Sequence, residues 1–169
     1  NFSLVGYTNS GKSLLFNSLV KTKILSKDQL FSTLDTTTRK LFLNENISST
    51  VSDTVGFINK LPTILVESFK STLEEAINAD ILLHVIDYSN ENFIEKINTV
   101  DKILHDLGLS KVPKILIKNK IDILNFTPDE IVLDRSYISQ IETSAKLGDG
   151  LDKLRHFLIK ASETIINER

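Results

Sequence analysis

Gly6-Tyr7-Thr8-Asn9-Ser10-Gly11-Lys12-Ser13 sets two glycines, a lysine and a hydroxyl at the spacing G-x-x-x-x-G-K-[ST]. The chemistry this spacing serves is phosphate binding. Glycines let the backbone curl so that successive N–H groups point inward at an anion. The helix that follows adds its N-terminal donors and its dipole. Lys12 brings a point charge to the outer phosphates, and Ser13 Oγ is suited to ligate magnesium. The bland alternative is a glycine turn between a strand and a helix. An apolar strand before the motif and an amphipathic helix after it favour the phosphate reading.

A phosphate loop does not choose between ATP and GTP. Asn119-Lys120-Ile121-Asp122 does. It follows the apolar run Ile115–Ile117, at the strand end where α/β sheets bind ligands. An ionised carboxylate only accepts hydrogen bonds. Asp122 can therefore take both the ring N–H and the exocyclic amino hydrogen of guanine, a donor pair that adenine lacks. Leaving such a group unpaired supports discrimination of ~10⁴ or more. Asn119 is expected to tie the base loop to the phosphate loop, and the Lys120 stem to cover the base. In Ser144-Ala145-Lys146, the Ala145 N–H is expected to meet the guanine keto oxygen. Asp53-Thr54-Val55-Gly56 closes another strand, with Asp53 suited to hold a magnesium-bound water and the Gly56 N–H to reach the terminal phosphate. One hydroxyl among Thr33, Thr36, Thr37 and Thr38 would complete the magnesium shell and release when the terminal phosphate is lost.

These residues need elements to hold them. Phe2 to Val5 reads as a strand, and Ser13 to Val20 carries a helical stripe. Lys21 to Arg39 has no period, and long connections of this kind are usually functional. Arg39–Leu43 and Ile47–Asp53 read as a strand pair around Asn44–Asn46. Pro62 precedes a helical segment from Thr63 to Asn78. Ile81–Ile86 is an apolar run suited to a strand buried on both faces. Glu91–Leu107 is amphipathic with Gly108 as its stop. Tyr137–Glu142 is a further strand, and Leu151, Leu154, Phe157, Leu158, Ala161 and Ile165 give the last helix one apolar face. The expectation is an α/β three-layer sandwich, with a mostly parallel six-stranded sheet and one antiparallel edge strand.

Composition agrees with one domain. The chain has 169 residues, 41% hydrophobic and 25% charged, with a formal charge of −2 and no cysteine or methionine. Disorder, thiolate metal sites and a nucleic-acid-coating surface are disfavoured. No apolar run nears the 18 or so residues of a membrane span. No signal-peptide pattern precedes Asn1. Residues 1–169 are read as a single guanine-nucleotide domain cut from a longer parent, monomeric, cytoplasmic and independent of membranes.

The order of these motifs resembles that of Ras-like P-loop GTPases of the translation-factor-related class. More closely it resembles the G domains of the HflX family of ribosome-associated GTPases. The resemblance rests on Gly6–Ser13, on Asp28-Gln29-Leu30-Phe31-Ser32-Thr33-Leu34-Asp35, on Asp53-Thr54-Val55-Gly56-Phe57-Ile58, on Leu61-Pro62 and on Leu82-Leu83-His84-Val85-Ile86-Asp87. It covers nearly the whole chain, and the second string is its most specific part. It implies that Phe31, Ser32, Thr33, Leu34 and Asp35 face the nucleotide and that Thr33 is the switch ligand to magnesium. One departure is Asp35-Thr36-Thr37-Thr38-Arg39, where family members commonly have D-P-T-T-R. A second is that the family's ribosome-binding N-terminal region is absent from this chain. The implied function is that of a motor: GTP binding and hydrolysis on the large ribosomal subunit through the parent, with Lys12, Thr33 and Gly56 assisting the reaction.

Many GTPases orient the attacking water with a glutamine just after D-x-x-G. Phe57 stands there and can neither orient nor deprotonate water. Slow intrinsic hydrolysis, raised by a partner, is expected. His84 reads as a core histidine, and His105 and His156 as surface or half-buried helix positions. Asn9 has two readings. One is loop hydrogen bonding. The other, implied by related GTPases with an asparagine there, is support of a potassium ion whose charge replaces an arginine finger. A GTP-dependent binding module with hydrolysis as a timer, in ribosome assembly or RNA modification, is the competing function. A P-loop kinase or ATPase would have no use for Asn119–Asp122.

Overall fold

Phe2 to Val5 is buried along its whole length, which requires a strand covered on both faces. The structure, a computed structural model, describes residues 1–20, 37–54, 56 and 78–167. Its elements are β1 (Phe2–Val5), α1 (Lys12–Val20), β2 (Thr37–Phe42), β3 (Ser48–Asp53), β4 (Ile81–Asp87), α2 (Phe93–Asp106), β5 (Lys114–Asn119), a 3-10 turn (Ile121–Ile123), β6 (Tyr137–Glu142) and α3 (Leu151–Asn167). Most of the stretches Lys21–Arg39 and Thr63–Asn78 lies outside the described residues.

The six strands run in the order β2-β3-β1-β4-β5-β6. β1 pairs in parallel with both β3 and β4, and β4–β5 and β5–β6 are also parallel. β2 is antiparallel to β3, with Arg39 opposite Val51. Among the described residues it forms the one antiparallel edge. Its hairpin turns where Asn44 Oδ1 accepts from Asn46 N and Ile47 N, the local side-chain turn that asparagine favours.

Period-2 alternation sorts β4 between two cores. Ile81, Leu83 and Val85 join Leu4, Leu15, Leu19, Leu154 and Leu158 on the face covered by α1 and α3. Leu82 and Ile86 join Val100, Leu104, Phe93 and Ile97 on the face covered by α2. Helices therefore cover both faces of the sheet. α2 ends where Leu107 caps it and Gly108 turns to φ 77°. Gly108 N donates to His105 O and Leu109 N to Leu104 O, the paired closure of a Schellman stop. Among the described residues no helix is long and apolar enough to cross a membrane.

Candidate nucleotide-binding site

The strand order changes direction at β1 and β4, which opens a crevice beyond their C-terminal ends. Four chain segments meet there: the turn after β1, the end of β3, the end of β5, and the turn after β6.

The turn after β1 holds the phosphate motif. Gly6 lies at φ 155°, and a Cβ there would fall 2.2 Å from Val85 O. Gly11 lies at φ 93°, and a Cβ there would fall 2.4 Å from Asn119 Nδ2. Both glycines are thus required by close approach as well as by backbone angle. Lys12 is buried, and its Nζ donates to Gly6 O at 3.1 Å and to Tyr7 O at 3.0 Å. Burial pulls its pKa down to about 8 against the opposing attraction of Asp53. Ser13 Oγ donates to Asp53 Oδ2 at 2.7 Å. Burial pushes the Asp53 carboxyl up, against the Ser13 hydrogen bond and the Lys12 charge, which pull it down. Asp53 Oδ1 and Ser10 Oγ are buried with no partner among the described residues. A hydroxyl and a carboxylate oxygen with free acceptor capacity form the hard-oxygen donor set that magnesium takes. Ser13 and Asp53 therefore fit that ion.

Thr54 Oγ1 donates to Leu4 O at 2.5 Å, pinning the end of β3 to β1. A Cβ on Gly56 would lie 3.0 Å from Lys12 Nζ and from Thr8 Cα. Gly56 therefore lies against the phosphate loop.

The base loop is braced from several sides. Asn119 is buried, and its Nδ2 donates to Ser10 O at 3.0 Å. Its Oδ1 accepts from Ala145 N at 3.0 Å and from Thr143 Oγ1 at 3.2 Å. Ser144 Oγ donates to Asp122 Oδ1 at 2.7 Å. Ile121 N donates to Thr143 O. Lys120, at φ 68°, reaches back across Gly11, and its Nζ donates to Asn9 O at 2.7 Å. Lys146 is exposed.

The Ala145 N–H, expected at the guanine keto oxygen, donates to Asn119 Oδ1 in this structure. The cause is that Asn119, spending its amide on Ser10, still has a buried oxygen to satisfy. Phe31, Ser32, Thr33, Leu34, Asp35, Val55 and Phe57, with Thr36, lie outside the described residues.

Three residues with no role in the sequence reading enter the site. Thr143 supports Asn119, and Asp87 accepts from Lys120 Nζ at 2.7 Å and from Ser89 Oγ at 2.6 Å. A charged residue closing an apolar strand, beside Asn119 in register, is the signal that could have marked Asp87.

His84 is fully buried on the α2 side of β4. Tyr137 Oη lies 2.6 Å from its Nδ1 and donates to Asp101. The single tyrosine proton goes to the carboxylate, so His84 Nδ1 must be the donor to Tyr137. Buried Lys114 Nζ joins the same carboxylate at 2.7 Å. Burial and the Lys114 and Lys12 charges drive the His84 pKa down to about 3, so the ring is neutral and serves as a brace. His105 and His156 are exposed on their helices.

A family model described as a 50S ribosome-binding GTPase matches residues 1–120. The chain is 49% identical over 152 residues to the GTPase HflX of Caldanaerobacter subterraneus subsp. tengcongensis, covering 90% of this chain and 34% of that protein. It is 46% identical to the GTPase HflX of Lacrimispora saccharolytica, covering 99% and 38%, and 40% identical to that of Escherichia coli, covering 90% and 36%. The chain spans about a third of the length of these curated relatives. Among solved structures it is similar to a GTP-binding protein from Sulfolobus solfataricus in complex with GDP, with a TM-score of 0.75 and 29% identity over 97% of this chain and 52% of that one. A likeness of fold extends to S. thermophilus NFeoB E67A bound to GDP.AlF4-, with a TM-score of 0.64 and 21% identity over 96% of this chain and 62% of that one.

Proposed function

The chain belongs to the 50S ribosome-binding GTPase family, as an HflX-type G domain, and from that premise we propose that it is the guanine-nucleotide switch of a longer protein acting on the large ribosomal subunit. One observation carries the reading of the site. Asn119 holds Ser10 of the phosphate loop with one end of its amide and Ala145 with the other. A single buried side chain so sets the distance between the phosphate end and the base end.

In this reading Asp122 accepts the guanine N–H donors, with Ser144 orienting it. Lys12 and the loop N–H groups neutralise the phosphates, and the Gly56 N–H faces the terminal one. Ser13, with Asp53 behind it, would hold magnesium, joined by Thr33. When bound, the ion adds charge neutralisation at the outer phosphates. Phe31, Ser32, Thr33, Leu34 and Asp35 would contact the nucleotide, and Thr33 would release when the terminal phosphate is lost.

Hydrolysis is proposed to be slow without a partner, because Phe57 offers no hydrogen bond to water. The test is single-turnover GTP hydrolysis with and without large ribosomal subunits. Marked stimulation is expected. Fast hydrolysis alone, unchanged by Phe57→Ala, would sink the proposal. Asn9, exposed at φ 61°, keeps a potassium role open to test by comparing potassium and sodium chloride at equal ionic strength. Equal rates reject it. The proposed setting is the cytoplasm, with the domain acting as a monomer and without a membrane.

Phe57 also favours a second reading, in which the GTP-bound state is the function and hydrolysis only ends it, in ribosome assembly or RNA modification. A non-hydrolysable GTP analogue separates the two. Full action with the analogue supports the timer.

A further inference from the structure

Two residues other than glycine adopt positive φ among the described residues, Asn9 at 61° and Lys120 at 68°. They belong to different loops, one on the phosphate side and one on the base side. A single ammonium joins them, since Lys120 Nζ donates to Asn9 O at 2.7 Å. Positive φ is uncommon for such residues and persists where the surroundings impose it.

What fixes that ammonium is Asp87. It ends β4, opposite Asn119 in the parallel register of β4 and β5. Its Oδ2 accepts from Lys120 Nζ at 2.7 Å. Its Oδ1 accepts from Ser89 N at 3.1 Å and from Ser89 Oγ at 2.6 Å. The carboxylate is therefore held from both oxygens. The side chain is 18% exposed, so the charge-assisted bond is sheltered from solvent. The Lys120 stem is stretched between two fixed ends, and a Cβ built at Gly11 would lie 3.9 Å from its Cε.

We propose that Asp87 is a positioning residue for guanine nucleotide binding: it anchors Lys120 so that the lysine stem walls the base pocket and its ammonium braces the phosphate loop at Asn9. This rests on the guanine-site reading above. Without Asp87 the ammonium keeps one carbonyl acceptor and gains rotamer freedom, and the wall becomes mobile. The effect belongs to the lifetime of the complex, because the clamp touches the base pocket and not the reacting atoms.

The experiment is release of a fluorescent GDP derivative from the full chain, for the wild type, Asp87→Asn, Lys120→Met and the double variant. Asp87→Asn is expected to release GDP about tenfold faster, the loss of one charge-assisted hydrogen bond. The double variant is expected to release no faster than Lys120→Met alone, because Asp87 acts through that lysine. Release within twofold of wild type in Asp87→Asn, or effects that multiply in the double variant, overturns the proposal. Should Asp87→Asn fail to fold, Ser89→Ala loosens the same carboxylate. About two- to threefold faster release is then expected, and a wild-type rate overturns the proposal. A wild type that binds ADP as tightly as GDP would instead bring down the guanine reading beneath it.

Discussion

The two ends of the nucleotide site are built on opposite terms. At the phosphate end, charges are buried against their preference: Lys12 is pulled down to about 8, Asp53 is pushed up, and Asp53 Oδ1 and Ser10 Oγ lack partners among the described residues. At the base end, both ends of the Asn119 amide are used, and Asp122 Oδ1 is already engaged by Ser144. The phosphate end stores a cost that an anion and a metal ion would relieve. At the base end the protein groups hold one another in place, and so it can act as a fixed template. Affinity should come largely from the first and discrimination from the second.

Mutations can break this contrast. The largest effect is expected at Asp122. Asp122→Ala should collapse the preference for GDP over ADP by ~10⁴, read by competitive titration. A preference that survives would mean that the base is selected elsewhere. Lys12→Met comes next. It should weaken GDP by ~10²–10³, because a buried charge-assisted contact is lost. The same variant should be no less stable without nucleotide, since the buried ammonium is removed. A large drop in its urea midpoint would contradict the idea of stored cost. Asn119→Ala should behave the other way. It should destabilise the nucleotide-free chain by about 2 kcal/mol, because it strands Ser10 O and the Ala145 N–H in the interior. Unchanged stability there would end the claim of a fixed template.

The smallest effect is one of pH. Lys12 titrates at about 8 without ligand, and bound phosphates would favour its charged form. Binding then takes up a proton above pH 8. GDP affinity should be flat below that point and fall by up to about tenfold from pH 8 to 9. For folding the sign is reversed. A lysine depressed in the folded state opposes folding below about pH 8, and this cost is relieved as pH rises toward 10.5. A GDP affinity that stays flat to pH 9 would place the Lys12 titration elsewhere.

The phosphate end was the more legible in sequence, because Gly6 to Ser13 is contiguous and its chemistry is local. The strands were legible from apolar runs, and β4 is buried from Ile81 to Ile86. Their order was not, since nothing in the string Phe2–Val5 says that β3 and β4 flank it. The supports of the base end were also hidden. Thr143 and Ser89 are ordinary turn residues until the fold sets them beside Asn119 and Asp87. Lys114, Asp101, Tyr137 and His84 come from four separate elements. Each alone reads as a surface or core residue, and the network appears only when the sheet and α2 are assembled. The bond from the Ala145 N–H to Asn119 was hidden for the same reason, because its acceptor belongs to a residue 26 positions away.

Arg155 completes the picture from the other end of the chain. Its guanidinium donates to Leu19 O at 2.7 Å, in the last turn of α1, and also to Phe42 O. α1 is only nine residues long, too short to hold itself together in water. The helix proposed to receive the phosphates thus depends on a residue 136 positions further along the chain. During synthesis the phosphate loop emerges before Asn119, Ala145 and Arg155, and these must follow before its scaffold is closed. A ribosome would therefore extrude the residues up to Arg155 before the nascent product could compete for nucleotide.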